Sequence, residues 1–152
     1  MMQMSFFAEI DQKETHRAVE SAFEQYRLNK YLMFEEREAS TTAGYIERFH
    51  GPTNVTSDQT ASIAIHNVDT MNARKAYCSL VERAVNNLPR KERFLIEERY
   101  MCREAEYITD YNVYNFKFDP PISKDTYRKI RKKAFRKLAM VLNIQVEKSS
   151  SL

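Results

Sequence analysis

The stretch SKDTYRKIRKKAFRKLA, residues 123–139, carries the reading of this chain. Tyr127, Ile130, Ala134, Leu138 and, just beyond it, Val141 recur at helical spacing and form one apolar stripe that must pack on a neighbour. At about 100° per residue, Asp125, Arg128, Lys129, Lys132 and Arg136 fall on the opposite side, with Lys124 and Arg131 flanking them. Ser123 is the expected N-cap, and the helix is expected to end near Asn143. Residues 123–138 hold eight basic side chains and one acidic one. The helix is therefore buried on one side and strongly cationic on the other.

Upstream of it, FKFDPP cannot continue a helix, because Pro121 pushes Pro120, and Pro120 pushes Asp119, out of the α region. A short helix from Thr109 to Phe116, opened by Thr109 and Asp110, is expected before that turn. Pro89 fits the first position of another helix, which carries Phe94, Leu95, Ile96, Tyr100 and Met101 among alternating charges. Before it, Ala73, Ala76, Tyr77, Leu80, Val81, Ala84, Val85 and Leu88 step at three and four. That helical pattern starts at Ser57 or Asp58, with Asp69 as an internal cap or restart. Asp11 to Phe34 reads as a further amphipathic helix through Val19, Ala22, Phe23 and Tyr26, opened by the Asp11–Glu14 pairing. Between the two, Ser40 to Asp58 holds both glycines, Pro52 and a cluster of Thr, Ser and Asn. It reads as a long loop or linker with a short extended piece at Tyr45–Phe49.

The fold class is all-α: a multi-helix domain with a C-terminal helix-turn-helix. The expected organisation is an N-terminal helix and linker over 1–56, a helical domain over 57–145, and a tail over 146–152.

Composition narrows the function. The chain is 43% hydrophobic and 30% charged, enough to bury a core and stay soluble, and its two Gly and four Pro favour helices over a turn-rich β fold. No apolar run reaches the roughly 20 residues that cross a bilayer. The opening MMQMSFFAEIDQKE lacks a basic segment ahead of an apolar one, so a cytoplasmic protein is expected, with no membrane partner. Cys78 and Cys102 are far apart and without Cys/His spacing, which reads as reduced thiols. His16, His50 and His66 share no metal-ligand spacing with each other or with the cysteines, and His50 in RFHGP reads as a turn residue. Glu35, Glu36 and Glu38 read as a solvated face. With Gly44 and Gly51 alone, the chain has no Gly-rich phosphate loop, and it shows no nucleophile motif. No enzyme, metal or cofactor is expected.

The net charge of +3 is uneven. Residues 1–87 carry nine Lys/Arg against twelve Asp/Glu, and residues 88–152 carry fifteen against nine. A basic block inside a structured segment is the footprint of a polyanion partner. A short helix, a turn and a longer helix with a basic N-terminal half is the helix-turn-helix layout, which points to double-stranded DNA. Lys124, Asp125, Thr126, Arg128 and Arg131 are the types that reach groove edges from the start of a recognition helix. Lys129 shares their cationic face, and Lys132, Lys133, Arg136 and Lys137, further along, suit phosphates or solvent. Tyr127 is expected to bury its ring as a core anchor. The plain alternative is an amphipathic surface helix whose basic face binds nothing.

LPRKERFLIEERYM (88–101) followed by SKDTYRKIRKKAFRKLA resembles the C-terminal DNA-binding region, region 4, of bacterial sigma factors. Ile130, Lys133, Ala134, Phe135, Lys137 and Leu138 carry that likeness, although the upstream regions by which sigma factors open promoters are missing. Across nearly the whole chain, the sequence is similar to the ArpU family of phage-encoded transcriptional regulators. The matching positions are Ile10, Asp11, Thr15, Tyr26 and Arg27 in the first helix and Asn67, Val68 and Asp69 in the centre. Thr109, Asp110, Tyr111, Val113 and Tyr114 match in the scaffold, and Lys133, Ala134, Lys137, Leu138, Ala139, Leu142 and Ile144 at the end. The resemblance implies activation of late phage genes, such as those for packaging or lysis, in Gram-positive hosts. The turn FKFDPPIS departs from the family's simpler Leu-Gly-Val-Ser-type turn in carrying two prolines, Pro120 and Pro121.

The expected function is thus sequence-specific DNA binding and transcription regulation in a bacteriophage or prophage. The alternative is a sigma-like factor or adaptor acting mainly by binding RNA polymerase through the acidic first half. Phe23, Tyr26, Tyr31, Met33 and Phe34 exceed what a solvated helix needs. The simpler account packs them on the 69–88 helix; the other makes a homodimer or swapped arm.

Overall fold

The computed structural model describes the backbone of residues 9–43 and 58–149 and the side chains of residues 9–35 and 68–149. The extended piece expected at Tyr45–Phe49, and His50 with it, lie outside the described residues. Helix α1 spans Gln12–Ala43 and α2 spans Asp58–Asn86. Helix α3, Arg90–Ile96, continues as a π-helical turn over Glu97–Met101, and a 3₁₀ turn follows at Ala105–Tyr107. Helix α4, Asp110–Asn112, continues as a second π turn over Val113–Lys117, and α5 spans Lys124–Val141. The described residues form helices and connections, with one isolated antiparallel bridge between Ile10 and Glu147. The fold is all-α.

Several local signals act as expected. The Asp11 side chain accepts from the Glu14 amide at 3.1 Å. The Thr109 hydroxyl accepts from the Asn112 amide, and the Asn112 side chain accepts in return from the Thr109 amide, a reciprocal cap that opens α4. Pro89 stands one residue earlier than expected, at the cap itself, where its carbonyl accepts from the Arg93 amide at 2.9 Å. Asn143 takes the left-handed conformation (φ 55°) that closes α5, and the Ile144 amide returns to the Ala139 carbonyl at 2.9 Å.

Other expectations shift. α1 continues well past Phe34, to Ala43, so helix occupies the first part of the segment read as linker. α2 runs unbroken through Asp69, which is neither cap nor restart. Its apolar face turns Cys78, Val81, Ala84 and Val85 inward, with Leu88 buried just beyond its end, and leaves Leu80, Ala73 and Ala76 exposed. A helix buries only the side that faces its neighbours, and the main neighbour of α2 is α1. Tyr26 of α1 donates to Glu82 at 2.8 Å, and Tyr77 of α2 donates to the Ala22 carbonyl at 2.9 Å.

Val19, Phe23 and Tyr26 of α1 share one core with Val81 and Val85 of α2, Leu95 and Ile96 of α3, and Tyr127, Phe135 and Leu138 of α5. The N-terminal helix thereby packs into the same core as the C-terminal elements. Residues 146–148, read from sequence as the start of a tail, are bonded to the other end of the chain. The Asp11 amide donates to the Val146 carbonyl at 2.7 Å and the Lys148 amide to the Glu9 carbonyl at 2.8 Å. The Thr15 hydroxyl, nearly buried, accepts from the Val146 amide at 3.0 Å.

Candidate nucleic-acid interface

Ser123 begins the site. Its hydroxyl accepts from the Thr126 amide at 3.1 Å and donates to the Thr126 hydroxyl at 2.9 Å, so the first turn of α5 is held before any ligand arrives. Asp125 adds a carboxylate to that turn, favourable beside the helix N-terminus. From there α5 divides as its sequence requires. Tyr127, Ala134, Phe135, Leu138 and Ala139 are buried, and Ile130 is partly so. Val141, expected to end the apolar stripe, is instead exposed, because the buried stripe swings to Leu138, Ala139 and Leu142 as the helix closes.

Lys124, Arg128, Lys129, Lys132, Lys133 and Arg136 are all exposed. None has a carboxylate within ion-pair distance among the described residues. Lys129, Lys132, Lys133 and Arg136, spaced along one helical stripe, line a single shallow surface depression. Cations this close repel one another, and only solvent or an external anion relieves that.

Two of the basic residues in the sequence block are engaged within the protein. Arg131 is about four-fifths buried: it donates to Asp110 at 2.8 Å and its guanidinium lies 5.5 Å from the centre of the Tyr127 ring. Lys137 reaches both carboxylate oxygens of the buried Glu92, at 3.0 and 2.9 Å, which ties the second half of α5 to α3.

No family model matches the chain. At 28% identity the chain is similar, over 97% of its own length and all of the relative's, to an uncharacterized phage-related protein of Listeria innocua. No solved structure matches. The likeness is to a phage-related protein, and the chemistry must be read from the site.

The centre of the site that sequence reasoning overlooked is Asp110. Its carboxylate accepts from Tyr127 at 2.6 Å, from Arg99 at 2.9 Å and from Arg131 at 2.8 Å. Burial alone would raise its pKa; the Tyr127 hydroxyl and then Arg131 and Arg99 outweigh that and hold it below the ordinary carboxylate value. The same contacts act on Tyr127, whose phenol is pushed far up by burial and by the carboxylate it donates to. Arg99 also donates to the Ala105 carbonyl at 3.2 Å, so the knot gathers the π turn after α3, the 3₁₀ turn, α4 and α5. Thr109–Asp110 was legible as a helix opening. The role of Asp110 as the anchor for α5 was not, because its partners lie 11 to 21 residues away.

The outcome is a rigid cationic rod. α5 is pinned at its first half by Asp110 and at its second by Glu92, while six cations project outward unneutralised. Among the described residues, no group of three His, Cys, Asp or Glu side chains is placed to hold a metal ion, and no helix is long and apolar enough to cross a membrane.

Proposed function

We propose that this chain is a sequence-specific DNA-binding transcriptional regulator of a phage or prophage, in which α4, the turn 118–123 and α5 act as a helix-turn-helix. The observation that carries the reading is the unpaired cationic face of α5 on a helix otherwise locked into the core. Unneutralised Lys and Arg at successive helical turns release counterions from a phosphate backbone when they dock. Lys124, Asp125, Thr126 and Arg128, on the first turns, face the groove edges, whereas Lys129, Lys132, Lys133 and Arg136 hold phosphates. Arg131 acts from behind, by fixing the helix on Asp110. The phage-related relative fits this role, and so does the resemblance to ArpU regulators, which makes activation of late genes the expected outcome. The reading assigns the chain no enzymatic role.

A footprint on the DNA flanking the chain's own gene tests this, with Arg128→Ala plus Lys132→Ala as the comparison. Wild type should protect a discrete site, with affinity falling as salt rises. The double variant should lose the site, and the log–log salt slope should drop by about 1 for each phosphate contact removed. Binding indifferent to sequence, in wild type and variant alike, would end the reading. Protection that appears only with RNA polymerase present would replace it with the sigma-like alternative.

A further inference from the structure

Four aromatic rings make a ladder that starts in the core and ends in solvent. Tyr127, 1% exposed, lies 5.5 Å from Tyr114 between ring centres; Tyr114 lies 5.6 Å from Tyr111, and Tyr111 lies 6.1 Å from Phe116. The last two rungs stand open: Tyr111 is 57% exposed and Phe116 71%. In a regular α-helix, residues five apart point about 140° away from each other. The π turn over Val113–Lys117 widens the coil and brings Phe116 round to Tyr111. Such turns are rare and often sit at functional sites.

The surroundings say what kind of partner covers these rings. Residues 107–133 hold seven Lys/Arg and three Asp; with Arg131 bonded to Asp110 and Lys117 4.0 Å from Glu98, five cations stand against Asp119 and Asp125. Through Tyr114 and the buried Tyr127 the open rings are tied to the first turns of α5, whose outer side carries the unpaired cations Lys124 and Arg128. A partner must therefore be anionic and offer flat apolar faces. A fully paired duplex keeps its base faces stacked inside, so the grip of α5 on duplex DNA leaves the two rings unused. Unpaired nucleotides meet both requirements, since every base presents a π face and every linkage a phosphate.

We propose that Tyr111 and Phe116 form a shelf for unpaired nucleobases beside the duplex held by α5, so that the protein recognises a junction between double-stranded and single-stranded DNA. The shelf deepens the DNA-binding reading above and rests on it.

Fluorescence anisotropy of the full chain with two labelled probes tests the shelf: a blunt duplex, and the same duplex with a single-stranded thymidine tail. The tail should tighten wild-type binding on the order of tenfold. Tyr111→Ser plus Phe116→Ser should abolish that gain and leave blunt-duplex affinity and its salt slope unchanged, with the thermal melt confirming an intact fold. Arg128→Ala plus Lys132→Ala should weaken both probes and flatten the salt slope while the ratio between probes persists. A tail that adds nothing to wild type, or a gain that survives the aromatic variant, would overturn the shelf. So would loss of RNA polymerase binding in the aromatic variant with DNA affinity for both probes intact, since the rings would then be a protein contact. Tail binding that depends on the rings, with no blunt-duplex binding, would overturn the duplex reading and the junction with it, leaving the rings as a contact for single strands alone.

Discussion

Replacing Asp110 with Asn should destabilise the protein by about 2 kcal/mol at neutral pH. Hydrogen bonds to a charged group contribute roughly 1.5–3 kcal/mol each, and breaking a fully buried pair costs about 3–5 kcal/mol. Asp110 is 39% exposed, against 21% for Arg99 and 19% for Arg131, so solvent screens part of that loss. Asn keeps an acceptor for Tyr127 but leaves two guanidiniums, each about four-fifths covered, without their counter-charge. For a domain of this size about 2 kcal/mol corresponds to a fall in Tm of roughly 4–8 °C. Urea and thermal unfolding of both proteins across pH are the assay. The folded pKa of Asp110 lies below its ordinary value of 3.8, so its stabilisation is fully present above that value and is lost as pH falls through the depressed one. The two proteins should therefore differ at neutral pH and converge in acid. A difference under about 0.5 kcal/mol at neutral pH, or one that persists undiminished in acid, would refute the assignment of Asp110 as the anchor of α5.

Two further outcomes follow from the core and from α1. Leu138→Ala empties a fully buried position and should lower stability by about 2–5 kcal/mol in urea unfolding, whereas Val141→Ala at the exposed end of the same helix should change it by less than about 0.5 kcal/mol. Burial, with the His16 ring 4.6 Å from that of Phe135, holds the imidazole pKa below 6.5; Arg131 pushes the same way, and Glu20 and Asp110 oppose. Because the folded value is the lower one, wild-type stability should decline as pH falls through 6.5 towards it, and His16→Gln should remove that component. An identical pH slope in the variant would refute this account of His16.

The cationic face was legible because it is a property of one helix. Arg128, Lys129, Lys132 and Arg136 follow from period alone, and the structure leaves them exposed. Arg131 was misplaced for the opposite reason. It flanks that face on a helical wheel, and only a carboxylate 21 residues upstream turns it inward. Tyr111 and Phe116 match no five-residue period in an α-helical reading, so their meeting depends on a π turn that no local pattern announced.

What the sequence by itself determined is therefore local: the helices, the Thr109 and Ser123 caps, the proline-stiffened turn, and a last helix with one apolar and one basic side. Periodicity and capping act over a turn or two of chain, and residues that close in sequence can be read together. What the tertiary structure decided are the pairings that span the chain: Asp110 with Arg131, Glu92 with Lys137 across 45 residues, and Thr15 with Val146 across 131. Each depends on which faces of separate helices come to rest against each other, and that is set by how the whole core packs.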